Sequence, residues 1–370
     1  MGFLDWFLRK IIKPKVLDGW ARARRRGQIN ALRKKRERAR AICMLPQDGR
    51  LPTRKARNPM TGRTIEVEYD DGLKGIAKAL GLKPSRVAKL SFSPKKLYTT
   101  FTRPKPAGGE RTIHAPVRSL KYVQRRILDR ILNWVDLPDC VHGFRRYRSL
   151  ATGAAEHVGK EMVLRMDIED FFPSIHFGRV LGLFRSLQFS TKHAFILARL
   201  TTADGVLPQG APTSPAIANA VCRRLDRRLM GAAQKQGISY TRYADDMTFS
   251  GPAEEVKRLV PFVRKVVGEE GFTVADKKVR LMRRGRRQIV TGVVVNDKLS
   301  VPRYYRRWLR ATIHHLRTRG ATPDGLTAAQ LRSSLLSHAH YIKMVNADQG
   351  NRLLADLREV LGQQGGKGNR

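Results

Sequence analysis

The chain has 370 residues, with 73 Lys and Arg against 31 Asp and Glu, a formal charge of +42 and a pI near 11.2. That excess goes far beyond what solubility asks and points to a polyanionic partner, while 41% hydrophobic residues suffice for one large domain or two intimate ones. Three cysteines without a CxxC pair supply neither a zinc ligand set nor a disulfide framework, and no apolar run approaches the ~20 residues that span a bilayer, so a cytoplasmic protein without stable membrane association is expected.

Taken in chain order, "MGFLDWFLRKIIKPKV" reads as a short amphipathic helix, because Asp5, Arg9 and Lys10 interrupt what a signal peptide needs as an apolar run. Residues 21–40 hold ten basic side chains and one acid, Glu37, the composition of an arm that orders on RNA. Gly and Pro punctuation from Asp48 to Gly62 marks a linker. Residues 73–90 predict two short helices with Leu73, Ile76, Ala77 and Leu80 on one face. A hairpin turning at Gly108-Gly109 is expected over 97–116, then an amphipathic helix over 120–135 with Val123, Ile127, Leu128, Ile131, Leu132 and Val135 inward. The centre mixes strands (MVLRMDI, YTRYA, MTFS) with helices, of which "SPAIANAVCRRLDRRLMGAAQKQ" reads as a single one; the last 70 residues read as helices only. The class is α+β with a helical C-terminal lobe.

The chemistry concentrates in three places. In "SYTRYADDMTFSG" two short strands, Ser239–Ala244 and Met247–Ser250, flank the adjacent carboxylates of Asp245 and Asp246, a costly choice for a plain turn, where Asn-Gly or Asp-Gly serves. Upstream, Val163, Leu164 and Met166 form a buried strand that delivers Asp167 to its end, with Asp170 three residues on. Three carboxylates converging from a strand end and a hairpin tip make an oxygen-only site suited to Mg²⁺. Two such ions about 3.5–4 Å apart activate an attacking 3′-hydroxyl and stabilise leaving pyrophosphate. Between these motifs, in "LPQGAPTSPAIANAV", Gly210 permits a close turn and Ser214-Pro215 starts a helix.

The order D-x-x-D-F-F, Q-G-A-P-T-S-P, Y-A-D-D resembles the palm of reverse transcriptases, and more narrowly the bacterial retron enzymes. "RPKPAGGERTIHAPVRSLKYVQRRIL" resembles their fingers segment, Val290-Thr291-Gly292 their V-T-G, and Gly153-Ala154-Ala155-Glu156-His157 their N-A-x-x-H with the Asn replaced. The resemblance covers about residues 69 to 350. It implies a right-hand polymerase with fingers, an antiparallel palm sheet and a helical thumb, divided as a basic extension (1–50), fingers and palm (51–298), and thumb with tail (299–370). It implies Asp167, Asp245 and Asp246 as catalytic residues and ligands of two Mg²⁺, and dNTPs as substrates. Phe172 would be the gate against a 2′-hydroxyl, Gln209 would line the nucleotide pocket, Arg111 would clamp the triphosphate and Asp170 would serve structure or nucleotide.

The expected function is RNA-directed synthesis of single-stranded DNA from a structured non-coding RNA, joined to it as msDNA, in anti-phage defence with an effector protein. Nothing after the thumb suggests a ribonuclease H domain, so a host ribonuclease H would remove template. Two rivals remain at this point: a group II intron-like reverse transcriptase and a non-catalytic RNA-binding scaffold that restrains a toxin. On the thumb, Arg303, Arg307, Arg310, His314 and Arg317 recur every three or four residues, the spacing of one helical face, and are expected to track a duplex; Tyr304, Tyr305 and Trp308 could pack or stack, and packing is expected.

Overall fold

A computed structural model describes residues 56–57, 64–65, 72–92, 97–104, 108–319 and 328–365. The amphipathic N-terminus, the basic arm and most of the linker read above lie outside the described residues.

After a minimal antiparallel pair, β1 (Ala56–Arg57) and β2 (Thr64–Ile65), two helices follow, α1 (Gly72–Leu80) and α2 (Pro84–Phe92). Ile76, Ala77 and Leu80 are buried as their i, i+1, i+4 spacing demands. The hairpin β3 (Tyr98–Pro104) and β4 (Glu110–Pro116) pairs in register from Tyr98–Pro116 to Pro104–Glu110. Helix α3 runs Arg118–Arg130; it stops short of the expected 135, and a 3₁₀ turn carries Leu132–Trp134.

Helix α4 (Leu150–Ala155) opens with a reciprocal cap between Ser149 and Thr152. The sheet strand β5 (Met162–Asp167) follows, then α5 (Phe177–Ser186) and α6 (Thr191–Thr201). The single helix expected after Ser214 is two, α7 (Ser214–Val221) and α8 (Arg223–Gln234). The break falls at Cys222, whose side chain is fully buried. Hairpin β6 (Ser239–Tyr243) and β7 (Asp246–Gly251), helix α9 (Ala253–Glu269) and β8 (Arg280–Arg283) complete a four-stranded antiparallel sheet ordered β6-β7-β5-β8. A two-residue hairpin, β9 (Ile289–Val290) and β10 (Val293–Val294), turns at Thr291-Gly292, both with positive φ (46° and 89°), as the tightest hairpin turns require. Three helices close the chain: α10 (Arg303–Arg319), α11 (Ala328–Val345) and α12 (Ala347–Gly365). Among the described residues no helix is long and apolar enough to cross a membrane.

Two hydrophobic cores share the sheet. The first gathers α1, α2, α3, α5, α6, α8 and α9 with Met162, Leu164 and Met166 of β5. The second joins α10, α11 and α12 to β9, β10, α4 and Val163. Alternate side chains of β5 therefore serve different cores, as a strand's period of two dictates. Tyr341 of α11 donates its hydroxyl to the Gly292 carbonyl at 3.2 Å, tying the helical lobe to the β9–β10 turn.

Candidate active site

The apolar run of β5 is buried on the sheet and ends at Asp167, which lies directly opposite Asp246, the first residue of β7. Asp246 thus belongs to a strand, and the connection from β6 is only Ala244-Asp245. Ala244 takes a left-handed backbone (φ 59°), a conformation that costs a non-glycine residue about 1 kcal/mol and persists only where neighbours hold it. Backbone bonds fix the corner: Ile168 N–H donates to the Asp245 carbonyl (3.0 Å) and Ala275 N–H to that of Asp167 (2.8 Å).

Much of what holds Ala244 is the Arg242 side chain. Fully buried, it donates through Nη1 to the Ala244 carbonyl (2.8 Å) and to Asn219 Oδ1 (3.1 Å). Its Nε and Nη2 fork onto the buried Asp226 carboxylate, both at 2.7 Å. Tyr240 donates to the same carboxylate (3.1 Å), and Asn219 Nδ2 donates to the Gly143 carbonyl (2.8 Å). Every strong donor and acceptor in this cluster has a partner, the condition under which a buried ion pair is tolerated.

The three carboxylates are close enough to feel one another. Burial pushes Asp245 up to about 7, and the charges of Asp167 and Asp246 add to it. Burial also raises Asp246, against the pull of Arg165, which bonds it through Nε (3.3 Å) and Nη2. Asp167 is bonded by Lys278 Nζ. Burial opposes the Lys278 ammonium, but the Asp167 bond and the charges of Asp167 and Asp245 outweigh it; Arg111 lies near enough to repel it. With Asp167 turned to Lys278 and Asp246 to Arg165, no cluster of three or more His, Cys, Asp or Glu in metal-holding geometry occurs among the described residues. A cleft of about 230 Å³ opens here, lined by Arg165, Met166, Asp167, Asp246, Lys278 and Arg280.

The other expected site residues sit around this corner. Arg111 is on β4 opposite Arg103, near enough to Lys278 for the two cations to repel. Gln209 meets the same strand through its backbone, accepting from His114 N–H at 2.8 Å. Gly210 follows with φ 128°, where a Cβ would lie 2.9 Å from the His114 carbonyl oxygen, so only glycine lets the loop lie this close. Phe172 is half-buried with its ring 5.5 Å from Phe171, which takes the core position against Phe272 (6.0 Å). Asp170 is exposed at φ 40°, its carbonyl accepting from Ser174 N–H.

Sequence reading missed Arg165, Lys278, Arg242 and Asn219, whose partners are remote along the chain. Arg165 alone carried a signal, as a cation alternating with Asp167 on an otherwise apolar strand. His157 of the altered N-A-x-x-H is no surface residue: it is buried between Ser250 Oγ and Thr241 Oγ1, each at 2.7 Å, and burial lowers its pKa to about 3. On α10, Arg303, Arg307, Arg310, His314 and Arg317 are exposed as expected, Arg317 pairing with Glu359 at 2.9 Å. Tyr305 packs inward and bonds His338, and Trp308, though 45% exposed, sets its ring 4.9 Å from that of His338, whereas Tyr304 is 65% exposed, contrary to the packing expected of it.

An antiparallel palm sheet with acidic residues at its paired strand ends and hairpin turn, flanked by a fingers hairpin and a helical lobe, is the architecture of a right-hand polymerase. The family model described as "Reverse transcriptase (RNA-dependent DNA polymerase)" matches residues 103–313. The chain is 43% identical over 307 residues to the Retron Mx65 reverse transcriptase of Myxococcus xanthus, covering 75% of this chain and 69% of that one. It is 36% identical to the Retron Mx162 enzyme of the same organism (78% and 67% covered) and 33% identical to the Retron Ec86 enzyme of Escherichia coli (69% and 81% covered). The chain belongs to the reverse transcriptase family, among the retron enzymes, and is an RNA-directed DNA polymerase. That family works with divalent metal ions and dNTPs.

Proposed function

We propose that this polymerase copies part of a structured non-coding RNA into single-stranded DNA that stays joined to the RNA, starting from a 2′-hydroxyl of that RNA. The product would serve anti-phage defence together with an effector protein, and a host ribonuclease H would remove the copied template. The observation that carries the reading is the register of Asp167 against Asp246 with Asp245 in the adjoining turn, in a chain of this family.

The residues present fit a hard divalent cation: the donors are all carboxylate oxygens, and Asp245 and Asp246 are raised by burial and then by neighbouring carboxylate charge, a cost that a cation would relieve. Asp167, Asp245 and Asp246 would hold two Mg²⁺, which when bound supply Lewis acidity toward the attacking hydroxyl and the leaving pyrophosphate. The chain's own groups do the rest. Lys278, Arg165 and Arg280 line the cleft as cations able to receive triphosphate oxygens. Arg111, on β4 near Lys278, adds a planar guanidinium suited to two phosphate oxygens at once. Phe172 would set its half-buried ring against the sugar and exclude a 2′-hydroxyl, and Gln209 would line the nucleotide pocket on the loop pinned to β4.

The test is to purify the full chain from cells carrying its native genomic neighbourhood and sequence the nucleic acid that comes with it. The expected result is one RNA species covalently joined to DNA complementary to part of it. Recovery of unselected cellular RNA without attached DNA would overturn the self-primed reading.

A further inference from the structure

At the catalytic cleft Arg165 and Lys278 bond carboxylates; at the end of α1, Lys83, Arg86 and Lys89 pair with none among the described residues. A separate hollow of about 460 Å³ opens where α1 turns into α2, lined by Gly81, Lys83, Ser85, Arg86, Lys89 and Tyr122, and it shares no residue with the cleft beside Asp167. Residues 72–92 hold five Lys and Arg and no acid at all. Helix α3, across the hollow, adds Arg118, Lys121, Arg125, Arg126 and Arg130 against Asp129 alone. Asp129 is engaged elsewhere, with Asn133 through its carboxylate and Trp134 through its carbonyl.

Lys83, Arg86 and Lys89 are exposed, and among the described residues none of them pairs with a carboxylate. Beneath them, Arg126 and Arg130 donate to the Leu80 and Ala79 carbonyls at 3.0 and 2.8 Å, so the end of α1 is built on guanidinium groups. Gly81 makes this possible: at φ 63° a Cβ would lie 2.7 Å from the Arg126 guanidinium. The fold thus gathers like charge around a concavity, an arrangement that a bound polyanion relieves.

Tyr122 distinguishes among polyanions. It is 44% exposed, and the Arg86 guanidinium sits 5.0 Å from its ring centroid. An exposed ring held beside unpaired cations matches what single-stranded nucleic acid offers, phosphate for the cations and a base for the ring and guanidinium planes. We propose that this hollow is a second nucleic-acid contact, in which Lys83, Arg86 and Lys89 hold the phosphodiester backbone of a single strand and Tyr122 receives a base, away from the catalytic cleft. The contact goes beyond the copying reaction, and it stands whether or not synthesis is self-primed.

The test uses the full chain, a 12-nucleotide oligouridylate and a 12-nucleotide oligothymidylate, with binding measured across a salt series. In the triple variant Lys83→Ala/Arg86→Ala/Lys89→Ala the log–log salt slope should fall by about 2, at about 0.7 per phosphate contact on a single strand. Tyr122→Ala should weaken binding about tenfold with little change of slope, as loss of stacking without loss of charge requires. A loss with oligouridylate alone assigns the hollow to RNA; an equal loss with both assigns it to either strand. DNA synthesis on a saturating, pre-annealed primer–template, measured alongside, should stay within twofold, which separates this contact from the catalytic assignment. An unchanged salt slope in the triple variant, with its thermal unfolding midpoint intact, overturns the proposal.

Discussion

Two arginine–aspartate pairs flank the Ala244-Asp245 turn, one joining β6 to α8 and the other joining β5 to β7, and they differ in nearly everything but chemistry. Arg242 and Asp226 are wholly inaccessible and joined by two 2.7 Å bonds, with every remaining polar atom partnered by Asn219, Tyr240 or Ala244. Arg165 and Asp246 stand at the cleft with 32% and 14% of their side chains exposed. Burial makes the first pair irreplaceable piece by piece, because an orphaned charge at that depth costs several kcal/mol. Its position at the cleft makes the second pair more exchangeable, since water and incoming ions can reach either partner. One pair sets the shape of the turn; the other guards a carboxylate whose chemistry lies elsewhere.

The most severe way to break the comparison is at the exchangeable side. Asp245→Asn or Asp246→Asn should lower dNTP incorporation on a primed RNA template by more than about a thousandfold, in the range expected when charge stabilisation at the reacting centre is lost. RNA affinity should barely move, which filter binding would check. Arg242→Met should cost about 3–5 kcal/mol in denaturant unfolding by stranding Asp226, whereas Arg165→Met should cost clearly less, because the cleft lets water reach Asp246. The double variant Arg242→Met/Asp226→Leu sharpens the contrast: stability should largely return, while incorporation stays reduced because the Ala244 carbonyl has lost its donor.

A smaller effect is expected at Phe172. Phe172→Ala should narrow the preference for dNTP over NTP by about tenfold or more with folding retained, read from paired incorporation assays; an unchanged ratio would return the ring to a packing role. The smallest effect concerns His157. Its pKa is held near 3 by burial, below the unfolded value of 6.5, so the unfolded chain binds the extra proton first. Stability should therefore fall as pH drops below about 6.5 and keep falling toward 3, by at most about 1.4 kcal/mol per pH unit for this one group. His157→Gln should flatten that acid limb in urea titrations between pH 6 and 4.

What was legible in the chain follows from range. Strands β5 and β7 announce themselves by apolar runs that end or begin in acid; their juxtaposition is long-range and was readable only because the order of the three motifs resembles the reverse transcriptase palm. The β3–β4 hairpin was readable from its glycine turn, and α1 from the spacing of Ile76, Ala77 and Leu80. By contrast, Lys278 reaches Asp167 across 111 positions, and His157 reaches Ser250 across 93, and no pattern in either segment specifies those meetings. Cys222 misled for a different reason: helical propensity continues through it, while its backbone leaves the helix at φ −76° and ψ 0°. Tyr304 shares a helix with Tyr305 and Trp308, yet it stays exposed while Tyr305 joins the second core and Trp308 packs on His338, a difference that aromatic character alone does not signal.

The divided allegiance of β5 bears on how far this protein can be taken apart. Val163 belongs to the core built by the C-terminal helices, while Leu164 and Met166, its neighbours on the strand, belong to the core of the fingers and palm. Cutting the chain before α10 would strip one face of the strand that ends in Asp167 and uncover Val290, Val293 and the apolar side of α4 as well. The helical lobe is therefore a wall of the catalytic sheet and not a detachable module, so exchanging it between relatives would require residues 150–163 and 290–301 to travel with it.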